Sequence, residues 1–103
     1  MSKLDLSIII SLYNEEESLR ELTAWITSAL SQQNWTYEII MVDDGSTDGS
    51  WDCICALKKE YTTLRGIRFR RNYGKSAALH TGFKAANGEV VVTMDADLQD
   101  SPE

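Results

Sequence analysis

The sequence is that of an α/β protein, a Rossmann-like three-layer α/β/α arrangement around a mostly parallel sheet. Three observations predict this. Short β-rich runs alternate with helical periods along the whole chain. The first run, LSIII at residues 6–10, is continuously apolar, as a strand buried on both faces should be. The resulting order β-α-β-α-β-α-β implies a parallel sheet with right-handed crossovers and helices on both faces.

Each element has its own warrant. After the first strand, residues 16–32 carry Leu19, Leu22, Ile26 and Leu30 at helical spacing, with Asn14 as a candidate N-cap. YEIIMV (37–42) reads as the second strand. Thr47 or Asp48 is then placed to cap a helix with Trp51, Ile54, Leu57 and Tyr61 along one face. LRGIRFR (64–70) alternates apolar and basic residues, the pattern of an edge strand with one wet face. A third helix spans residues 75–86 and stops at Asn87-Gly88, and the apolar run at 89–94 is a buried fourth strand.

Bulk properties narrow the function. At 103 residues the chain is one domain, expected over 1–103. Sixteen acidic against ten basic residues give a net charge of −6, which disfavours a nucleic-acid partner and suits a divalent cation. No stretch approaches the roughly 18 apolar residues of a membrane span. Nor does the N-terminus have the form of a signal peptide, so a cytoplasmic location is expected. Cys53 and Cys55 sit two apart on a helix, facing different sides, and suggest neither a disulfide nor a zinc site. Trp25, Trp35 and Trp51 fit helix packing and loop anchoring, and His80 fits a structural position within the third helix.

In open α/β sheets, ligands bind beyond the carboxyl ends of the strands. Three strand ends here carry polar groups: Tyr13-Asn14-Glu15, Asp43-Asp44-Gly45-Ser46 and Asp95-Ala96-Asp97. Asp95 and Asp97 face one side of an extended segment, where their mutual repulsion favours a hard cation such as Mg2+ or Mn2+. Gln99 and Asp100 add oxygen donors within reach. Such an ion keeps positions open for substrate phosphates, so a diphosphate is the natural further ligand. Asp43 and Asp44 have a second use, accepting hydrogen bonds from a base N–H or ribose hydroxyl. Gly74-Lys75-Ser76 invites a P-loop reading, but Phe69 stands where that motif needs glycine. Arg70, Arg71 and Lys75 instead form a cationic patch beside a helix N-terminus, suited to phosphate.

Taken together, SIIISLYNEEESL, IIMVDDGSTDGS, RRNYGKSAAL and VVVTMDADLQDSPE resemble glycosyltransferase family 2, the inverting enzymes of the GT-A fold. The resemblance extends to the branch that loads sugars onto polyprenyl phosphates. It implies that Tyr13, Asn14, Glu15 and Asp43, with Asp44 beside them, hold the nucleotide. It implies that Arg71, Asn72, Gly74 and Lys75 lie near its diphosphate. Asp95 and Ala96 are expected at the donor, with Asp95, Asp97 and Gln99 supporting a Mg2+ or Mn2+ ion. The partners implied are a nucleoside-diphosphate sugar and a lipid-phosphate or glycan acceptor, as in cell-envelope polysaccharide synthesis at the cytoplasmic face of a membrane. One departure is Ser11-Leu12, where the family usually has proline before the Tyr-Asn-Glu turn.

Family members continue past the Asp-x-Asp motif into an acceptor-binding half. The chain is therefore expected to hold the donor half alone, with no catalytic base, and to be inactive or nearly so by itself. Its fourth strand is expected to leave an edge open to self-association. Two other classes compete: a Mg2+-dependent phospho-accepting receiver domain, and a nucleotide-binding module without transfer activity. The receiver fits less well, because its acidic pair should follow the first strand and here follows the second.

Overall fold

A computed structural model describes residues 3–96. The elements follow the expected order: β1 (Leu4–Leu12), α1 (Glu16–Ser31), β2 (Tyr37–Asp43), α2 (Ser50–Glu60), β3 (Leu64–Arg68), α3 (Lys75–Ala85) and β4 (Gly88–Asp95). The strands form one wholly parallel sheet in the order β3-β2-β1-β4, placing β1 and β2 at its centre.

Alternation along those central strands builds two cores. Ile8, Ile10, Ile39 and Met41 pack with Leu19, Leu22 and Ile26 of α1 and Ile54 and Leu57 of α2. Ile9, Ile40 and Val42 point the other way, onto Ala78 and Leu79 of α3. The three layers follow from central strands whose middle residues, Ile8-Ile9-Ile10 and Ile39-Ile40-Met41-Val42, are apolar on both faces.

The amino ends of the strands are tied by a buried carboxylate. Glu38 accepts hydrogen bonds from Ser7 Oγ at 2.6 Å and the Asn87 N–H at 2.7 Å. Its other oxygen takes Arg65 Nη1 at 2.6 Å. Ser7 Oγ in turn accepts the Gly88 N–H at 2.8 Å. Burial alone pushes the Glu38 pKa up, but the bonds from Ser7, Asn87 and Arg65 outweigh it and hold the carboxyl below its ordinary value.

Several expectations change. Asn14 does not cap α1, whose N-cap position is Glu15; the Asn14 backbone is left-handed (φ 55°), and its side chain serves a neighbouring loop. The α2 N-cap position is Gly49, with Asp48 Oδ1 accepting the Ser50 N–H at 2.9 Å just inside the helix. Gly88 is the first residue of β4 rather than a helix stop. A Cβ there would lie 2.5 Å from the Ser7 nitrogen, so close backbone approach is what requires glycine.

The fourth strand is also less buried than expected. Val90 and Val92 are 57% and 41% exposed, because β4 is an edge strand covered by α3 on one face only among the described residues. Trp25 and Trp35 are exposed rather than packed; His80 faces solvent, one of the two placements expected for a structural histidine. Cys53 and Cys55 are unbridged. No helix among the described residues is long and apolar enough to cross a membrane.

Candidate active site

The carboxyl ends of β1, β2 and β4 and the start of α3 meet around one open cavity of about 300 Å3. Ser11, Leu12, Tyr13, Glu15, Asp44, Lys75, Asp95 and Ala96 line it. The parallel register explains the convergence: Ser11 pairs with Val42 on one side and Asp95 on the other, so the strands end level. Lys75 Nζ lies 2.7 Å from Asp95 Oδ1 and 3.0 Å from Oδ2, compensating the carboxylate from across the cavity.

Two loop bridges shape the rim. Asn14 Oδ1 accepts the N–H groups of Thr47 and Asp48 at 2.8 and 3.2 Å, and the Asn14 N–H donates to Ser46 Oγ at 2.8 Å. The β1–α1 turn is thereby fixed to the β2–α2 loop. Asp44 fixes that loop to the β3–α3 turn, accepting the N–H groups of Tyr73 and Gly74 at 2.7 and 3.0 Å. Asn72 Nδ2 completes the bridge by donating to the Asp44 carbonyl at 3.1 Å. Gly45 makes such proximity possible: its φ is +80°, and a Cβ on it would fall 2.2 Å from the Arg71 carbonyl carbon.

Asp43 differs from its neighbour. It is fully buried; Oδ1 accepts the Ser46 N–H at 2.9 Å, while Oδ2 has no hydrogen-bond partner among the described residues. An unsatisfied buried carboxylate oxygen is costly and commonly marks a functional position.

The structure thus gathers Tyr13, Glu15, Asp44, Lys75, Asp95 and Ala96 at one cavity. Asn14, Asn72 and Gly74 stand behind it in the loop bridges. The Arg71 guanidinium stacks 5.1 Å above the Tyr73 ring. Arg70 lines a separate hollow with Ser46, Arg68 and Phe69. Asp97, Gln99 and Asp100 lie outside the described residues, and no cluster of three metal-ligating side chains occurs among those described. Sequence reasoning missed Ser46 and Ser50 as loop anchors; Ser50 Oγ accepts the Glu15 N–H at 3.0 Å. The hydroxyl-rich run Ser46-Thr47, then Ser50, was their only signal.

Solved structures place this arrangement in a class. The chain superposes on a mannosyltransferase from Pyrobaculum calidifontis, solved in complex with GDP-Man and Mn2+, with a TM-score of 0.79 and 27% identity over 94% of this chain and 28% of that one. It superposes on TarS 1-349 of S. aureus in complex with UDP-GlcNAc with a TM-score of 0.72 and 27% identity, over 91% of this chain and 27% of that one. The fold is therefore that of the N-terminal half of a GT-A architecture.

The chain belongs to glycosyl transferase family 2, whose family model matches residues 7–103. An undecaprenyl-phosphate 4-deoxy-4-formamido-L-arabinose transferase of Aeromonas hydrophila is 47% identical over 98 residues, 94% of this chain and 30% of that protein. The enzyme of the same name from Pseudomonas fluorescens is 46% identical, over 94% of this chain and 29% of that protein. The chain spans about 30% of the length of these relatives. Family membership removes the receiver-domain reading.

Proposed function

We infer that the rim is the donor site of a metal-dependent, inverting glycosyltransferase that moves a sugar from a nucleoside-diphosphate sugar to a polyprenyl phosphate or a glycan. Residues 1–103 form the nucleotide-sugar-binding part of the domain and only bind donor when alone. The observation that carries this reading is the convergence of three strand ends and Lys75 on one cavity. The relatives named for undecaprenyl phosphate favour a polyprenyl-phosphate acceptor, and hence work at the cytoplasmic face of a membrane.

The roles follow from placement. Tyr13 and Glu15 stand at the end of β1, where an aromatic face and a carboxylate suit the nucleoside. Asp43, with its unpartnered Oδ2, is the candidate to accept a base or ribose hydrogen. Lys75 and the start of α3 suit the diphosphate, as helix N-termini do. Arg71 lies on the same turn, beside Tyr73.

Asp95 also fits a divalent cation: it offers two hard oxygens at the cavity, and Lys75 is a cation already compensating it there. Asp97 and Gln99 are the further ligands in this reading. When bound, such an ion stabilises the charge that develops on the departing nucleoside diphosphate. The chain's own share is to orient the donor and place Lys75 against the same charge. A phosphate acceptor is already anionic and needs little help from a base.

Calorimetry with UDP and GDP, with and without Mn2+, tests this. Binding of at least one nucleotide that requires Mn2+ is expected. Failure to bind either, at concentrations well above those of ordinary substrates, would overturn the reading.

A further inference from the structure

Asp44 lines the cavity, yet its polar atoms are committed elsewhere. It is only 5% exposed. Each carboxylate oxygen accepts one of two successive N–H groups, Tyr73 to Oδ1 at 2.7 Å and Gly74 to Oδ2 at 3.0 Å. The Asp44 carbonyl accepts Asn72 Nδ2, and the Asp44 N–H donates to the Leu12 carbonyl at 2.9 Å. One residue therefore joins the end of β1 to the turn that opens α3. Lys75 starts that helix, and the first bond inward runs from the Ala78 N–H to the Gly74 carbonyl. Helix geometry leaves the N–H groups of Lys75, Ser76 and Ala77 without intrahelical acceptors.

We propose that Asp44 is a positioning residue for donor binding: its carboxylate holds the Tyr73–Gly74 N–H pair so that Lys75 and the first turn of α3 are presented to the diphosphate. The proposal rests on the donor-site reading. It also explains how an acidic side chain can border an anion site. Its two oxygens are taken up by N–H donors, and the Lys75 ammonium stands beside the same cavity. Asparagine cannot replace it fully, because an amide offers one acceptor oxygen and would turn an NH2 donor toward an N–H donor.

Amide hydrogen exchange on the 15N-labelled full chain, paired with calorimetry using UDP and GDP plus Mn2+, tests this. In Asp44→Ala, the Tyr73 and Gly74 amides should exchange at least about tenfold faster, and nucleotide affinity should fall roughly 10- to 100-fold, as loss of two charge-assisted bonds implies. The Ile9 and Ile40 amides of the core strands should keep wild-type protection. Asp44→Asn should fall between wild type and Asp44→Ala on both readouts, and it stands in if the alanine variant does not fold.

Unchanged Tyr73 and Gly74 exchange would overturn the proposal, and, with affinity lost, would make Asp44 a direct nucleotide ligand. Faster exchange with unchanged affinity would overturn it too. If the wild-type chain binds neither UDP nor GDP, the donor-site reading fails, while exchange at Tyr73 and Gly74 still decides whether Asp44 holds the turn.

Discussion

At the amino ends of the strands, Glu38 is buried and satisfied by Ser7, Asn87 and Arg65, with Gly88 joined through Ser7. At the carboxyl ends, Asp43 keeps an unpartnered oxygen, and Asp95 meets Lys75 in an exposed pair. Both ends concentrate carboxylates, but the first uses them up on the fold and the second leaves capacity for a ligand. Stability and function are therefore separable along the strand direction, and substitutions at the two ends should have different signatures.

The largest effect on stability belongs to the closed end. Glu38→Ala should cost about 2–4 kcal/mol, because three hydrogen bonds go, and the buried Ser7 hydroxyl and the Asn87 N–H lose their acceptor. Urea denaturation measures this, and a loss below about 1 kcal/mol would break the comparison. Gly45→Ala comes next. Its positive φ and the 2.2 Å approach to Arg71 should cost about 1–3 kcal/mol and displace the Arg71–Lys75 turn, visible as weakened nucleotide binding.

Acid should loosen the closed end. The Glu38 pKa is lowered by folding, so its stabilisation is complete above the unfolded pKa and fades as pH falls through the folded one. Wild-type denaturation midpoints should fall below the ordinary glutamate range, and Glu38→Gln should flatten that slope. The smallest effect on stability belongs to the open end. Lys75→Ala removes an exposed ion pair and should change stability by no more than about 1 kcal/mol. The same substitution should weaken nucleoside-diphosphate binding at least about tenfold, since a charge-assisted contact is lost. Thermal melts and calorimetry on that one variant sharpen the contrast between the two ends.

Much of the fold is legible in the sequence, because a short, β-branched apolar run such as Ile8-Ile9-Ile10 suits a strand covered on both faces. The four motifs likewise announce the rim, since parallel strands deliver their ends to one side. What local reading misses is partnership across loops. Asn14 looks like a helix cap, but its left-handed backbone turns the side chain toward Thr47 and Asp48. Asp44 reads as a rim residue, but its bonds to the Tyr73 and Gly74 N–H groups of the β3–α3 turn span about 30 residues of sequence and carry no local signal. Glu38, the one charge within YEIIMV, is a visible anomaly whose meaning depends on Arg65, 27 residues away. The burial of β4 is misjudged for a similar reason: apolar sequence marks a strand, but sheet order decides which edge is covered.

The most direct test of the central claim uses the paramagnetism of Mn2+. Substoichiometric Mn2+ added with UDP or GDP to the 15N-labelled chain should broaden the amides of Tyr13, Asp44, Lys75 and Asp95, while those of Ser7, Glu38 and Asn87 stay sharp. Broadening centred on the Glu38 end, or none at Lys75 and Asp95 with nucleotide bound, would contradict the account.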